Sequence, residues 1–124
     1  APGSTIISMN NAITMIYKDE RPGHKRLHLV TSAGLGKPWS MPDNPILTRD
    51  WVEGPTVLKV GDVWRLYFDC YKEVHYGAAE SRDGKTWTDI SDRIHVPNGM
   101  RHGTAFTVSA EIYTALLKRS SKSE

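Results

Sequence analysis

The chain repeats itself with a period of about 49 residues, and this self-similarity limits the possible folds more than any other feature. Tyr17 in Met15-Ile16-Tyr17 matches Tyr67 in Arg65-Leu66-Tyr67, Ser32 matches Ser81, and Trp39 matches Trp87. Beyond each tryptophan, Glu53-Gly54-Pro55-Thr56-Val57 aligns with His102-Gly103-Thr104-Ala105-Phe106. A polar residue followed by glycine therefore opens both units. Repeats of roughly 20–50 residues build arrays, solenoids or propellers. In such an array equivalent positions line one surface, so Glu53 and His102 are expected to meet at the axial end of adjacent inner strands.

Each unit reads as a run of short antiparallel strands. Thr56 to Val60, the tight pair Gly61-Asp62 and Val63 to Tyr71 form a hairpin rich in β-branched and aromatic residues. A third strand over 74–81 follows. The turn Arg82-Asp83-Gly84-Lys85 then leads to Trp87 and an outer strand reaching about Val96. Four antiparallel strands make one propeller blade. The first half repeats the plan in Ser4 to Met9, the turn Asn10-Asn11, Ala12 to Lys18 and Arg26 to Ser32. These readings give an all-β chain of β-propeller blades: one blade over about 4–49, one over about 53–97, and an inner strand plus a short terminal helix over 101–118. Thr104 to Val108 supplies that strand. Ser109 caps the helix, whose apolar residues are Ile112, Leu116 and Leu117 and whose end is basic at Lys118-Arg119.

Two blades and a strand cannot close a ring, and repeat units need neighbours to bury their faces. Val57, Leu66 and Phe68, or Ile6, Ile13 and Met15, are expected on an open face. Further copies of this chain, or a second chain carrying the remaining blades, are the partners this implies. The 16 Lys+Arg against 14 Asp+Glu leave a net charge of only +2, which makes no electrostatic case for nucleic acid. The basic cluster Lys118 to Lys122 reads as a solvated tail. No apolar run approaches the roughly 20 residues a membrane-spanning helix needs. Cys70 is the single cysteine, so no intrachain disulfide forms, and it reads as a small core residue. His28 and His75 fall within strands and read as structural. Neither HExxH nor CxxC spacing occurs, which argues against zinc.

Glu53 is the sharpest candidate for chemistry. Its neighbours Val52, Gly54, Pro55 and Val57 are small or apolar, a setting that partly desolvates a carboxyl and suits a general acid. The alternative is a carboxylate that only accepts hydrogen bonds from its loop. Trp51 beside it offers an aromatic face for stacking on a sugar ring. The loop Asp19-Glu20-Arg21-Pro22-Gly23-His24-Lys25 is long and charged: Arg21 is a candidate for binding sugar hydroxyls, ordered by Asp19 or Glu20, and His24 for lining the cleft rim. A charged loop fixed by one ion pair is the other reading. Trp39 and Trp87, at equivalent repeat positions, read as blade packing.

Glu53-Gly54-Pro55 opening a strand, then Leu66-Tyr67-Phe68, then Tyr76 to Trp87, then Arg101-His102-Gly103 together resemble glycoside hydrolase family 43 and its five-bladed propeller relatives. The resemblance covers Ser4 to Leu117. Ser81 to Trp87 is also similar to the Asp-box turn of sialidases, one residue shorter, and reads as a blade turn. By resemblance Glu53 is the general acid, and His102 lies near the central tunnel, where it binds substrate or a calcium–water cluster. Calcium is implied in no other way. The family also uses an Asp general base opening the first blade and an Asp opening the second. No first blade is present here, and Ala1-Pro2-Gly3-Ser4, at the second opening, holds no acid. An inverting glycosidase needs a base on the opposite face of the sugar, so the chain carries at most half of that machinery. The function expected is hydrolysis, or binding, of a plant-type polysaccharide or oligosaccharide of the arabinofuranosidase kind. A non-catalytic carbohydrate-binding or assembly module using Trp51, Arg101 and His102, and an inactive propeller fragment, are the rivals.

Overall fold

A computed structural model describes residues 4–21, 25–40 and 45–122. The chain is mostly β: two antiparallel sheets of three and four strands, followed by one short helix. The first sheet runs β1 (Ser4–Met9), β2 (Ala12–Lys18) and β3 (Leu27–Ser32) in that order. Asn10 and Asn11, with φ of 52° and 62°, close the first hairpin. Asparagine enters this left-handed region at low cost, and two such residues match a turn to the strands' twist. The second sheet runs β4 (Glu53–Val60), β5 (Val63–Cys70), β6 (His75–Ser81) and the two-residue β7 (Thr88–Asp89). The second sheet thus repeats the meander of the first.

Departures from the expected strands have local causes. Among the described residues, the fourth strand of the first unit is represented by one bridge between Ser32 and Trp39, where Ser32 Oγ turns back to the carbonyls of Gly34 and Lys37. The outer strand of the second unit stops at Asp89 instead of reaching Val96. Asp89 Oδ1 accepts the Ser91 N–H at 2.9 Å, and a 3₁₀ turn follows at Ser91–Arg93; aspartate competes for nearby backbone N–H groups in this way. Thr104 to Val108 forms no strand. Among the described residues no neighbouring strand offers it a ladder, and Ala105 N donates instead to Thr56 Oγ1. Neither sheet closes into a barrel.

Strand β4 lies against β1 and β2, and the core fills the space between the sheets. Met9, Ile16 and Leu27 from the first sheet meet Val57, Trp64, Leu66, Phe68 and Cys70 from the second, with Leu47 and Val52 from the connection. Of the two sets expected on an open face, Val57, Leu66 and Phe68 are therefore buried, whereas Ile6 is exposed and Ile13 and Met15 are half-buried. Leu66 and Phe68 point inward at alternate positions of β5, Val57 does so from β4, and the first sheet covers all three. In the first sheet Ile6 is 64% exposed. Trp87 is buried, and its Nε1 donates to the Gly84 carbonyl. Trp39 is 43% exposed, contrary to the packing role read for it, because the single bridge at Ser32 leaves it at the sheet's rim. In the turn before Trp87, Asp83 Oδ1 accepts from Thr86 N, Lys85 N and Ser81 Oγ, and these bonds pull its carboxyl down to about 2.

Helix α1 (Ala110–Lys122) begins as the sequence indicates, Ser109 Oγ accepting the Ile112 N–H at 3.2 Å. Cys70 is buried as expected, and that burial pushes its thiol up to about 11. A thiol-specific reagent at about pH 8 is therefore expected to label the native chain only as fast as it unfolds, because both thiolate and access are lacking. Labelling at the rate of a free thiol would mean that the end of β5 opens in the native state.

Candidate functional site

The site forms where the β4–β5 hairpin ends. Continued without interruption from its Gly61-Asp62 turn, the register would place Glu53 opposite Cys70. A shift between Glu53 and Thr56 places it opposite Asp69 instead. Bulges re-aim side chains in this way, and they recur beside functional sites. Two carboxyls thereby share the same end of the sheet.

The segment 101–103 then closes over them. Arg101 Nε donates to Asp69 Oδ2 at 2.5 Å. His102 Nδ1 lies 3.3 Å from the same oxygen, and His102 Nε2 lies 3.5 Å from Glu53 Oε1. The approach of Glu53 to His102 that the repeat alignment implies is present. Tyr76 pins the segment from below, its hydroxyl accepting Gly103 N at 3.0 Å and donating to the Gly103 carbonyl at 3.2 Å. From the first sheet, Lys18 Nζ reaches Glu53 Oε2 at 3.3 Å and the Tyr71 hydroxyl at 3.2 Å. Burial works against the Lys18 charge, but the bonds to Tyr71 and Glu53 outweigh it and raise its pKa.

The backbone here is unusual. Trp51 and His102 have φ of 59° and 43°, and Gly54 has 60°. Non-glycine residues in this region store strain, which concentrates at functional sites. At Gly54 the reason is direct: a Cβ there would lie 2.7 Å from His102 Cδ2. Gly54→Ala is therefore expected to push the imidazole away from Glu53 and, through the φ penalty alone, to cost about 1–2 kcal/mol of stability. Urea unfolding together with the His102 ring signals would check this; an unchanged midpoint and unchanged signals would show that His102 is not held by the close fit.

The other candidates fall at different distances from this centre. Trp51 is 41% exposed, but the Lys72 ammonium lies 3.6 Å from its ring centroid, and Tyr71 meets it edge-on. Stacking on a sugar there requires the flexible Lys72 side chain to move or the other face to be used. Arg21 forms a forked pair with buried Asp19, which holds that carboxyl far below its usual range. Of this loop it is Glu20, not Arg21, that reaches toward the Glu53 centre, through Lys18 at 3.5 Å. His24 lies outside the described residues. Asp69, Lys18 and Tyr71 complete the site, and no sequence motif marks them. Asp69 is detectable as the one acid in β5, where every other residue but Arg65 is apolar or aromatic.

Glu53, Asp69 and His102 each offer one donor atom within 4.8 Å of the others. This set does not suit calcium, which takes six to eight oxygen ligands: only two of the three residues supply oxygens, and Lys18 and Arg101 already match both carboxylates. Asp69 does not suit the role of inverting base: it is fully buried and held by Arg101, whereas such a base faces water and stands about 6.5–9.5 Å from the acid. What remains is a half-exposed imidazole and guanidinium over one accessible carboxyl, an arrangement able to bind hydroxyl groups and to transfer one proton. In comparisons with known proteins the chain matches no protein-family model and no curated protein.

Proposed function

We propose that the chain is part of a β-propeller glycoside hydrolase acting on a plant-type oligosaccharide or polysaccharide, with Glu53 as general acid. In this reading the Glu53 carboxyl passes its proton to the glycosidic oxygen as the bond from that oxygen to the anomeric carbon breaks. A carboxylate from further blades takes a proton from water on the opposite face as that water's oxygen bonds to the anomeric carbon. Those blades come from other copies or from a second chain. Arg101 and His102, both partly exposed, bind sugar hydroxyls beside the acid, and Trp51 offers the apolar contact. The observation that carries the reading is the convergence of Glu53 and His102, the polar openers of two consecutive repeats, to 3.5 Å.

A second reading, a carbohydrate-binding module without catalysis, is favoured by one specific observation. Asp69, the carboxyl that shares His102 with Glu53, is buried beneath Arg101 and offers no base. Calorimetric titration with pentose oligosaccharides, alongside an assay for release of reducing ends, separates the two. Hydrolysis supports the enzyme, saturable binding without hydrolysis supports the module, and the absence of both sinks the carbohydrate reading.

A further inference from the structure

Asp69 has the setting least like that of a solvated carboxylate: it is 0% exposed and stands opposite Glu53 across the bulge. Its Oδ2 holds Arg101 Nε at 2.5 Å and lies 3.3 Å from His102 Nδ1. The other ring nitrogen, Nε2, is 3.5 Å from Glu53 Oε1. The imidazole therefore stands between two carboxyls, one at each nitrogen. A neutral imidazole carries a single N–H, and the group at one nitrogen decides what the other presents. Asp69 is sealed from water and fixed by Arg101, so its field on Nδ1 is poorly screened. Glu53 is partly open to solvent and shares its charge with Lys18.

We propose that Asp69 is a positioning residue that keeps the ring proton of His102 on Nδ1 and so turns the Nε2 lone pair toward Glu53. The surroundings hold the ring in place for this: His102 is kept at a φ of 43°, Gly54 leaves room for the ring edge, and Gly103 is tied at both its N–H and its carbonyl to Tyr76. With Nε2 bare, His102 accepts a hydrogen bond from the Glu53 carboxyl when that group carries its proton, and so aims the proton within the site. This consequence rests on the reading of Glu53 as the acid. The placement of the ring proton does not.

Nitrogen-15 resonances of the imidazole rings in the 124-residue chain distinguish protonated from bare nitrogens, and His102→Gln identifies those of His102. Well above the ordinary imidazole pKa of about 6.5, the expected pattern is Nδ1 protonated and Nε2 bare. Asp69→Ala is expected to move the proton to Nε2, while Glu53→Gln leaves it on Nδ1. The proposal is overturned by Nε2–H in the parent chain, by Nδ1–H persisting in Asp69→Ala, or by loss of Nδ1–H in Glu53→Gln. The parent spectrum decides the first point even if Asp69→Ala fails to fold. Nδ1–H in a protein that hydrolyses no glycoside in any assembly would remove the role of Glu53 and leave that of Asp69 standing.

Discussion

Glu53→Gln is expected to lower hydrolysis of an unactivated glycoside by the complete assembly about 10²–10⁴-fold, the range that a positioned proton donor contributes. The amide keeps the length and shape of the side chain and loses the transferable proton. Activated aryl glycosides, whose leaving groups need little protonation, are expected to lose much less. The fold should survive, because Gln retains an oxygen for Lys18 Nζ, which now sits 3.3 Å from Glu53 Oε2. Exchanging a charged acceptor for a neutral one at that contact is expected to cost about 1–2 kcal/mol. Kinetics on paired activated and unactivated substrates, with urea unfolding of the same samples, would check both halves. Activity within a few-fold of the parent on the unactivated substrate would take Glu53 out of the mechanism.

The legible part of this molecule is the part governed by local rules. The Gly61-Asp62 hairpin, the Asn10-Asn11 turn and the Ser109 cap all appear where residue chemistry puts them, since each depends on a few neighbouring side chains. The repeat also conveyed one long-range fact, the meeting of Glu53 with His102. What the sequence does not reveal depends on a register shift and on contacts between sheets. Asp69 faces Glu53 only because β4 bulges between Glu53 and Thr56; Gly54 and Pro55 are residue types that mark bulges, but they do not say which residue the slip brings opposite Glu53. Lys18 is the last residue of β2 and reaches Glu53 only because β4 lies against β2. Its alternation along the strand was readable; its partner was not. Where the chain leaves strand pairing, as at Asp89 to Arg93, a single side-chain acceptor redirected the backbone. The repeat suggested a strand there, and the local bond prevailed.

At micromolar concentration the chain is expected to sediment as a particle heavier than its own 13.9 kDa. The apolar surface behind this is not the set the repeat indicated, since Val57, Leu66 and Phe68 are buried between the sheets. It lies in Phe106, 74% exposed, and in Ile112, Tyr113 and Leu116 of α1, each more than half exposed. Burying a large apolar side chain contributes about 1.5–3 kcal/mol, so these four give about 6–12 kcal/mol. The loss of free motion on association costs about 4–15 kcal/mol, a range that the helix alone does not clear. Association therefore has to use further surface, and of the other exposed apolar residues Ile6 lies on β1, an edge strand of the first sheet suited to pairing with another chain. Two variant sets divide the contributions: Ile112→Ser with Leu116→Ser removes the helix face, and Ile6→Lys blocks the edge. Each set by itself is expected to bring the mass down to 13.9 kDa, because neither surface holds the assembly alone. A parent chain that sediments at 13.9 kDa and unfolds in one cooperative step would show that the exposed helix and edge need no cover, and the requirement for further blades would fall with it.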